Sequence, residues 1–220
     1  LSDGNCATIV GAVAQGRVLY MNILKAIQFL LSSNLGEVLL IFVATVLNLG
    51  SPLLPIHILW VNLITDSLPA LALGMEPAEP DVMDLPPRDP RSPIFTRPLL
   101  LRVIYQGLMI AGLSLAAYLT GARVSPDTGH TIAFAVLAFS QLAHAFNVRS
   151  NTHSAFMRGK MNRWMIPAFL SGIALQLCVL LVPFLQGLFH VAALTPAQWG
   201  LVALLSLMPL PIVEMLKALG

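Results

Sequence analysis

Two groups of oxygen-bearing side chains stand inside apolar runs. Asn62, Thr65 and Asp66 are spaced i, i+3 and i+4 within a run from Pro55 to Met75, so they point from one helical face. Asn34 and Glu37 are spaced i and i+3 in a second run, ahead of Val38-Leu39-Leu40-Ile41-Phe42, and so share a face. An Asp at membrane depth costs about 2.5–3.5 kcal/mol on insertion scales, and such a group needs a partner, a cation or a proton. Pro69 has no N–H to give the Thr65 carbonyl, so the helix is expected to loosen there and free a backbone oxygen. Oxygen-only ligands beside a broken helix suit a hard cation. Ser32, Ser33 and Gly36 have a simpler use, as small and polar residues at helix contacts.

The turn Asn48-Leu49-Gly50-Ser51-Pro52 lies between the two groups. A turn this short makes its two helices antiparallel neighbours. Glu37 is about eleven residues before it and Asp66 about fourteen after it, which sets both acids at similar depth. Asn34, Glu37, Asn62, Thr65 and Asp66 are therefore expected to converge. Two acids with three neutral oxygen ligands at matched depth form a far more specific pattern than one stray acid.

These residues need long apolar elements to carry them. The chain has 220 residues, 57% hydrophobic and 10% charged, with mean hydropathy +0.81. Soluble domains carry about 25% charged residues, so the composition points to a polytopic membrane protein. The formal net charge of +2 leaves no electrostatic footprint for nucleic acid. Cys6 and Cys178 are isolated, with no zinc or disulfide spacing. No Cys or Met cluster marks a soft-metal site. No basic n-region precedes an apolar core in residues 1–10, so no signal peptide is expected. The start at Leu1 leads us to expect a fragment.

The fold expected is an all-α membrane bundle of about six transmembrane helices. Asp3-Gly4-Asn5 suits a turn, with Asn5 as the N-cap of a long first helix. That helix is amphipathic to about Ile27, as a stalk in water, and apolar onward to about Leu47. The second span holds Asp66. Glu76 to Pro98 is a proline-dense loop that excludes regular helix. Further spans are expected from Leu99 to Thr120, from Thr131 to Phe146, from Trp164 to Leu188 with a kink near Pro183, and from Gln198 to Leu219 with breaks at Pro209 and Pro211. Basic residues collect in the stalk (Arg17, Lys25), the proline-rich loop, the stretch from Arg149 to Arg163, and Lys217. The positive-inside rule then places both termini in the cytoplasm.

The chain closely resembles the C-terminal part of calcium-transporting P-type ATPases of the sarco/endoplasmic reticulum type and their bacterial relatives. The resemblance is carried by Ala7-Thr8-Ile9-Val10 through Gly16-Arg17 and by Ser32-Ser33-Asn34-Leu35-Gly36-Glu37-Val38. Leu59 to Pro69, Asp81-Val82-Met83-Asp84 through Pro86-Pro87-Arg88, and the later apolar spans extend it. It implies that residues 1–26 are the tail of a phosphorylation domain and the stalk. Residues 27–220 would be the C-terminal transmembrane domain, helices five to ten of the parent pump.

The resemblance also implies a ligand set. Asn34 and Glu37 match calcium ligands of the fifth helix; Asn62, Thr65 and Asp66 match those of the sixth. Gln141 falls where two-site pumps have a Glu on the eighth helix, if Asn147 is aligned with an Asn after it. A Gln carbonyl still coordinates but brings no charge and carries no proton, which leaves one or two calcium ions per cycle open. For Gln141 and His144, ligation and interhelical hydrogen bonding are both open. Sodium–potassium pumps have an Asp where this chain has Asn62, and magnesium demands a tighter octahedral cage, so calcium is the expected cargo.

No Asp-Lys-Thr-Gly-Thr phosphorylation motif, nucleotide-binding loop or actuator Thr-Gly-Glu-Ser is found in the chain. The resemblance therefore implies that ATP and magnesium act in the missing N-terminal part of the same pump, with its first four transmembrane helices. The chain alone is expected neither to hydrolyse ATP nor to hold calcium tightly, and to have the lipid bilayer as its other partner. A bacterial plasma membrane is the expected location, with proton counter-transport. The alternative is a self-contained cation/proton exchanger or a non-transporting scaffold. Residues 99–220 hold no second copy of the acidic pattern, which disfavours an exchanger, and a scaffold has no use for two mid-membrane acids.

Overall fold

A computed structural model describes residues 6–78, 82–84, 93–150 and 162–219. The expected Asp3–Asn5 turn, Pro80, Pro86, Pro87, Pro90 and the basic stretch 151–161 lie outside the described residues. Among those described, the chain forms nine α-helices and one π turn, with no strand. Five helices are long and apolar enough to cross a membrane, and a bent pair makes a sixth candidate. This is the expected helical membrane bundle.

The first helix, α1, is Cys6–Val46, 41 residues without a proline, about 60 Å long. That is roughly twice the thickness of a bilayer core. Its first half exposes Ile9, Val10, Val13 and Leu19. The helix ends where Asn48 and Gly50 take positive φ values of 53° and 87°, and Tyr118 donates its hydroxyl to the Leu49 carbonyl at 2.8 Å.

The returning span is broken. Helix α2 (Pro55–Trp60) runs into a π turn at Val61–Thr65, and α3 (Ser67–Gly74) follows. The loosening therefore comes a turn before the expected place at Pro69. In the wide π turn the Asp66 N–H reaches back five residues to the Val61 carbonyl, at 2.9 Å. Pro69 then falls in the first turn of α3, where a missing N–H is tolerated and the Thr65 carbonyl is left without that donor.

Helices α4 (Arg97–Ala122) and α5 (Pro126–Val148) make a hairpin, capped by the Thr96 and Ser125 hydroxyls. They meet at two glycines: a Cβ on Gly121 would stand 2.8 Å from the Gly129 Cα. Helix α5 is buried on all faces and packs against α1, α3, α4, α6, α8 and α9. Apolar side chains from α4, α5 and α8, among them Ile110, Phe134, Leu137 and Val202, form the main core.

The fifth span differs from expectation. Helix α6 (Met165–Leu181) stops at extended Val182, and α7 (Pro183–Phe189) leaves at 87°. The bend at Pro183 is thus a corner rather than a kink. A buried His57 holds it: Nδ1 accepts from the Leu54 N–H at 3.3 Å, so Nε2 donates to the Phe189 carbonyl at 2.7 Å. The last span, Pro196–Lys217, is α8 (Pro196–Leu207) followed by α9 (Pro209–Leu219), interrupted at the prolines as expected.

Candidate cation-binding site

The close approach of α1 and α4 sets the rotation of α1. A Cβ on Gly36 would stand 2.9 Å from Ile110 Cγ2, and one on Gly107 2.9 Å from Leu35 Cγ. Glu37, one residue on, is turned inward with 3% exposure. Its Oε2 accepts from Asn62 Nδ2 at 2.7 Å, and its Oε1 accepts from Gln141 Nε2 at 3.1 Å. One carboxylate therefore joins α1, the π turn and α5.

The π turn positions the rest. Thr65 is fully buried and donates its hydroxyl to the Val61 carbonyl at 2.9 Å. Asn62 also donates to the Ile58 carbonyl at 3.0 Å, and Ser67 donates to the Asn62 carbonyl at 3.2 Å. Asp66 is fully buried, and among the described residues neither of its carboxylate oxygens has a hydrogen-bond partner. Gln141 Oε1 is buried and has none among them either. Asp66 stands four residues after Asn62, the side chain that holds Glu37.

Buried polar atoms in folded proteins are nearly always paired. Unpaired carboxylate oxygens in a low-dielectric interior are costly unless a cation or proton meets them. Half a turn about either amide would bring the Asn62 or Gln141 carbonyl oxygen to bear in place of its NH₂. The set is then two carboxylates and neutral oxygens, the ligand chemistry of a hard divalent cation. Among the described residues no group of three His, Cys, Asp or Glu residues is arranged for a metal.

Asn34 stands apart from this group. It is exposed, and its amide donates to the Leu30 carbonyl one turn back, at 2.7 Å. His144 and Asn147 continue the polar face of α5. Asn147 Nδ2 lies 3.4 Å from His144 Nδ1 and donates to the Pro209 carbonyl at 2.8 Å. Lys217 Nζ donates to the Asn147 carbonyl at 2.9 Å. Asn147 thus ties α5 to the break between α8 and α9, a partnership that the sequence pattern did not signal.

A family model described as "Cation transporting ATPase, C-terminus" matches residues 50–219. A calcium-transporting ATPase of Bacillus subtilis is 45% identical over 95% of this chain. Calcium-transporting ATPase 1 of Bacillus cereus is 43% identical over 99% of the chain, and that of Lactococcus lactis 36% over all of it. The chain covers 24%, 26% and 25% of those relatives respectively, so it spans about a quarter of their length. With the oxygen cluster at a broken membrane helix and a family match over most of its length, the chain belongs to the cation-transporting ATPase family, corresponding to the C-terminus of those proteins.

Proposed function

We infer that the chain is the ion-binding transmembrane portion of an ATP-driven calcium pump that moves calcium out of the cytoplasm. The observation that carries this reading is Asp66: fully buried at a helix break, with two unpartnered oxygens, next to a Glu37 held by two amides. The printed names of the bacterial relatives support calcium as the cargo. Glu37 and Asp66 supply the charge; Asn62, Thr65 and Gln141 supply neutral oxygens. Asn34 completes the set once the parts of the pump outside this chain cover its exposed face.

Residues 1–26 serve as the end of the phosphorylation domain and the stalk, and 27–220 as the membrane domain. Both termini lie in the cytoplasm of a bacterial cell whose plasma membrane holds the pump. ATP and magnesium are used by parts outside this chain. Phosphorylation there tilts α1 like a lever, moves Glu37 relative to Asp66 and lowers calcium affinity. Protons then replace calcium on the two acids and return in counter-transport.

The test uses the full-length parent pump. Glu37→Gln and Asp66→Asn are each expected to abolish calcium-dependent phosphoenzyme formation from ATP. Calcium activation retained in both variants would overturn the reading.

A further inference from the structure

Residues 164–213 contain no Asp, Glu, Lys or Arg, yet a fully buried Gln176 stands on α6 within them. An amide in so apolar a place is costly unless it is bonded. Its Oε1 accepts from the indole Nε1 of Trp60 at 2.9 Å. Its Nε2 has no partner among the described residues. An indole N–H only donates, so the amide is turned to serve Trp60. Trp60 is the last residue of α2, immediately before the π turn. Its ring also meets Phe189 edge to face, with centroids 5.2 Å apart and planes at 82°. Helix α6 runs beside the π turn and α3 as well, so the acceptor stands on an element that backs the break.

Helix α2 has six residues, too few to hold a helix by themselves, so outside contacts set how it is turned. His57 and Trp60, three residues apart, share a face, and both bond the α6–α7 region. Asn62 follows Trp60 by two residues, about 200° around a helix, and bonds Glu37 on α1. The start of the π turn is therefore gripped from opposite sides, by α6 through Trp60 and by α1 through Asn62. We propose that Gln176 is a positioning residue for the cation site: through Trp60 it fixes the rotation of α2 where the π turn begins, and with it the direction in which Asn62, Thr65 and Asp66 face. This rests on the reading of the chain as the ion-binding part of a calcium pump. Gln176 itself hydrogen-bonds none of those ligands among the described residues. Polar side chains also serve simply as glue between membrane helices; a bond of that kind alone would affect stability and leave calcium affinity untouched.

The experiment compares Gln176→Leu, Trp60→Phe, the double variant and Gln176→His in the purified full-length pump. Leu removes the acceptor at similar size, and Phe removes the donor while keeping a ring against Phe189. A neutral imidazole restores an acceptor. The readouts are Tm, the calcium concentration for half-maximal phosphoenzyme formation from ATP, and the phosphoenzyme level at saturating calcium. Each of the first two variants is expected to raise the half-maximal calcium roughly tenfold, of the order of ordinary site-to-site coupling, with the saturating level unchanged. The double variant should match the singles rather than sum them, because both cut one bond. Gln176→His should return the midpoint toward that of the parent. A lower Tm with an unchanged midpoint overturns the proposal, as does full additivity, or a loss in Gln176→His equal to that in Gln176→Leu. If Gln176→Leu does not fold, Trp60→Phe decides alone, and an unchanged midpoint in it overturns the proposal. Glu37→Gln serves as the separate control: if it retains calcium activation, the pump reading itself has failed, whatever the Gln176 variants do.

Discussion

Asp66 and Glu37 differ in how they are held. Glu37 accepts two amide hydrogen bonds, whereas Asp66 accepts none among the described residues. The first acid is held by its neighbours and the second is not. Gln141→Ala removes a hydrogen bond to a charged group, worth about 1.5–3 kcal/mol. It should raise the half-maximal calcium of the full-length pump roughly 10- to 100-fold, read from phosphoenzyme titrations. Both acids must be deprotonated to coordinate, so bound calcium displaces protons. Acidification should therefore weaken the calcium affinity of the full-length pump, measured by equilibrium calcium binding; an affinity independent of pH would contradict use of the two acids. Both acids were legible in the sequence because a carboxylate within an apolar run is conspicuous in any context. The position of Asn34 was not. An i, i+3 spacing leaves about 60° between two side chains, and a short amide at the edge of a face can turn back to its own helix, as Asn34 does.

At the scale of elements, the helices followed from apolar runs punctuated by prolines and caps; five of the six expected spans correspond to helices long enough to cross a membrane, and the other is the bent α6–α7 pair. The π turn did not follow. Pro69 announced a break, but which neighbouring turn widens depends on the Thr65 and Asp66 bonds to the Val61 carbonyl, contacts that no spacing rule contains. Pro69→Ala restores an N–H for the Thr65 carbonyl and favours regular helix through Asp66. That should turn the carboxylate away and raise the half-maximal calcium about tenfold, with little change in Tm. The α6–α7 corner was also illegible, since its 87° angle is held by His57 from a distant span. Between α4 and α5 the limiting contact is backbone to backbone. Gly121→Ala should cost about 1–3 kcal/mol by overpacking, seen as a lower Tm in detergent, while Gly11→Ala, with open space around it, should be neutral.

Across the whole molecule, two of the buried polar groupings lie at either end of the π turn and α3: Glu37 with Asn62 and Gln141, and Glu76 with Arg149 and Asn162. The sequence placed Glu76 and Arg149 in separate loops, 73 residues apart, and loop assignments say nothing about which side chains meet. Long-range pairing of this sort emerges only once α5 and α6 return beside α3. The first half of α1 and the face around Asn34 carry exposed residues, Ile9, Val10 and Asn34 among them. Removing α8 and α9 should strip cover from α5 and yield no monodisperse species in detergent, as gel filtration would show.

Helix α5 has a consequence for how such a machine is able to work. Enclosed by six neighbours, it has no outward side on which to slide. Gln141 is thus carried on the most enclosed helix, and the helices around it have more open sides than it does. Evolution or engineering that seeks another ion should find its freedom in the moving parts, while the pillar itself tolerates little change.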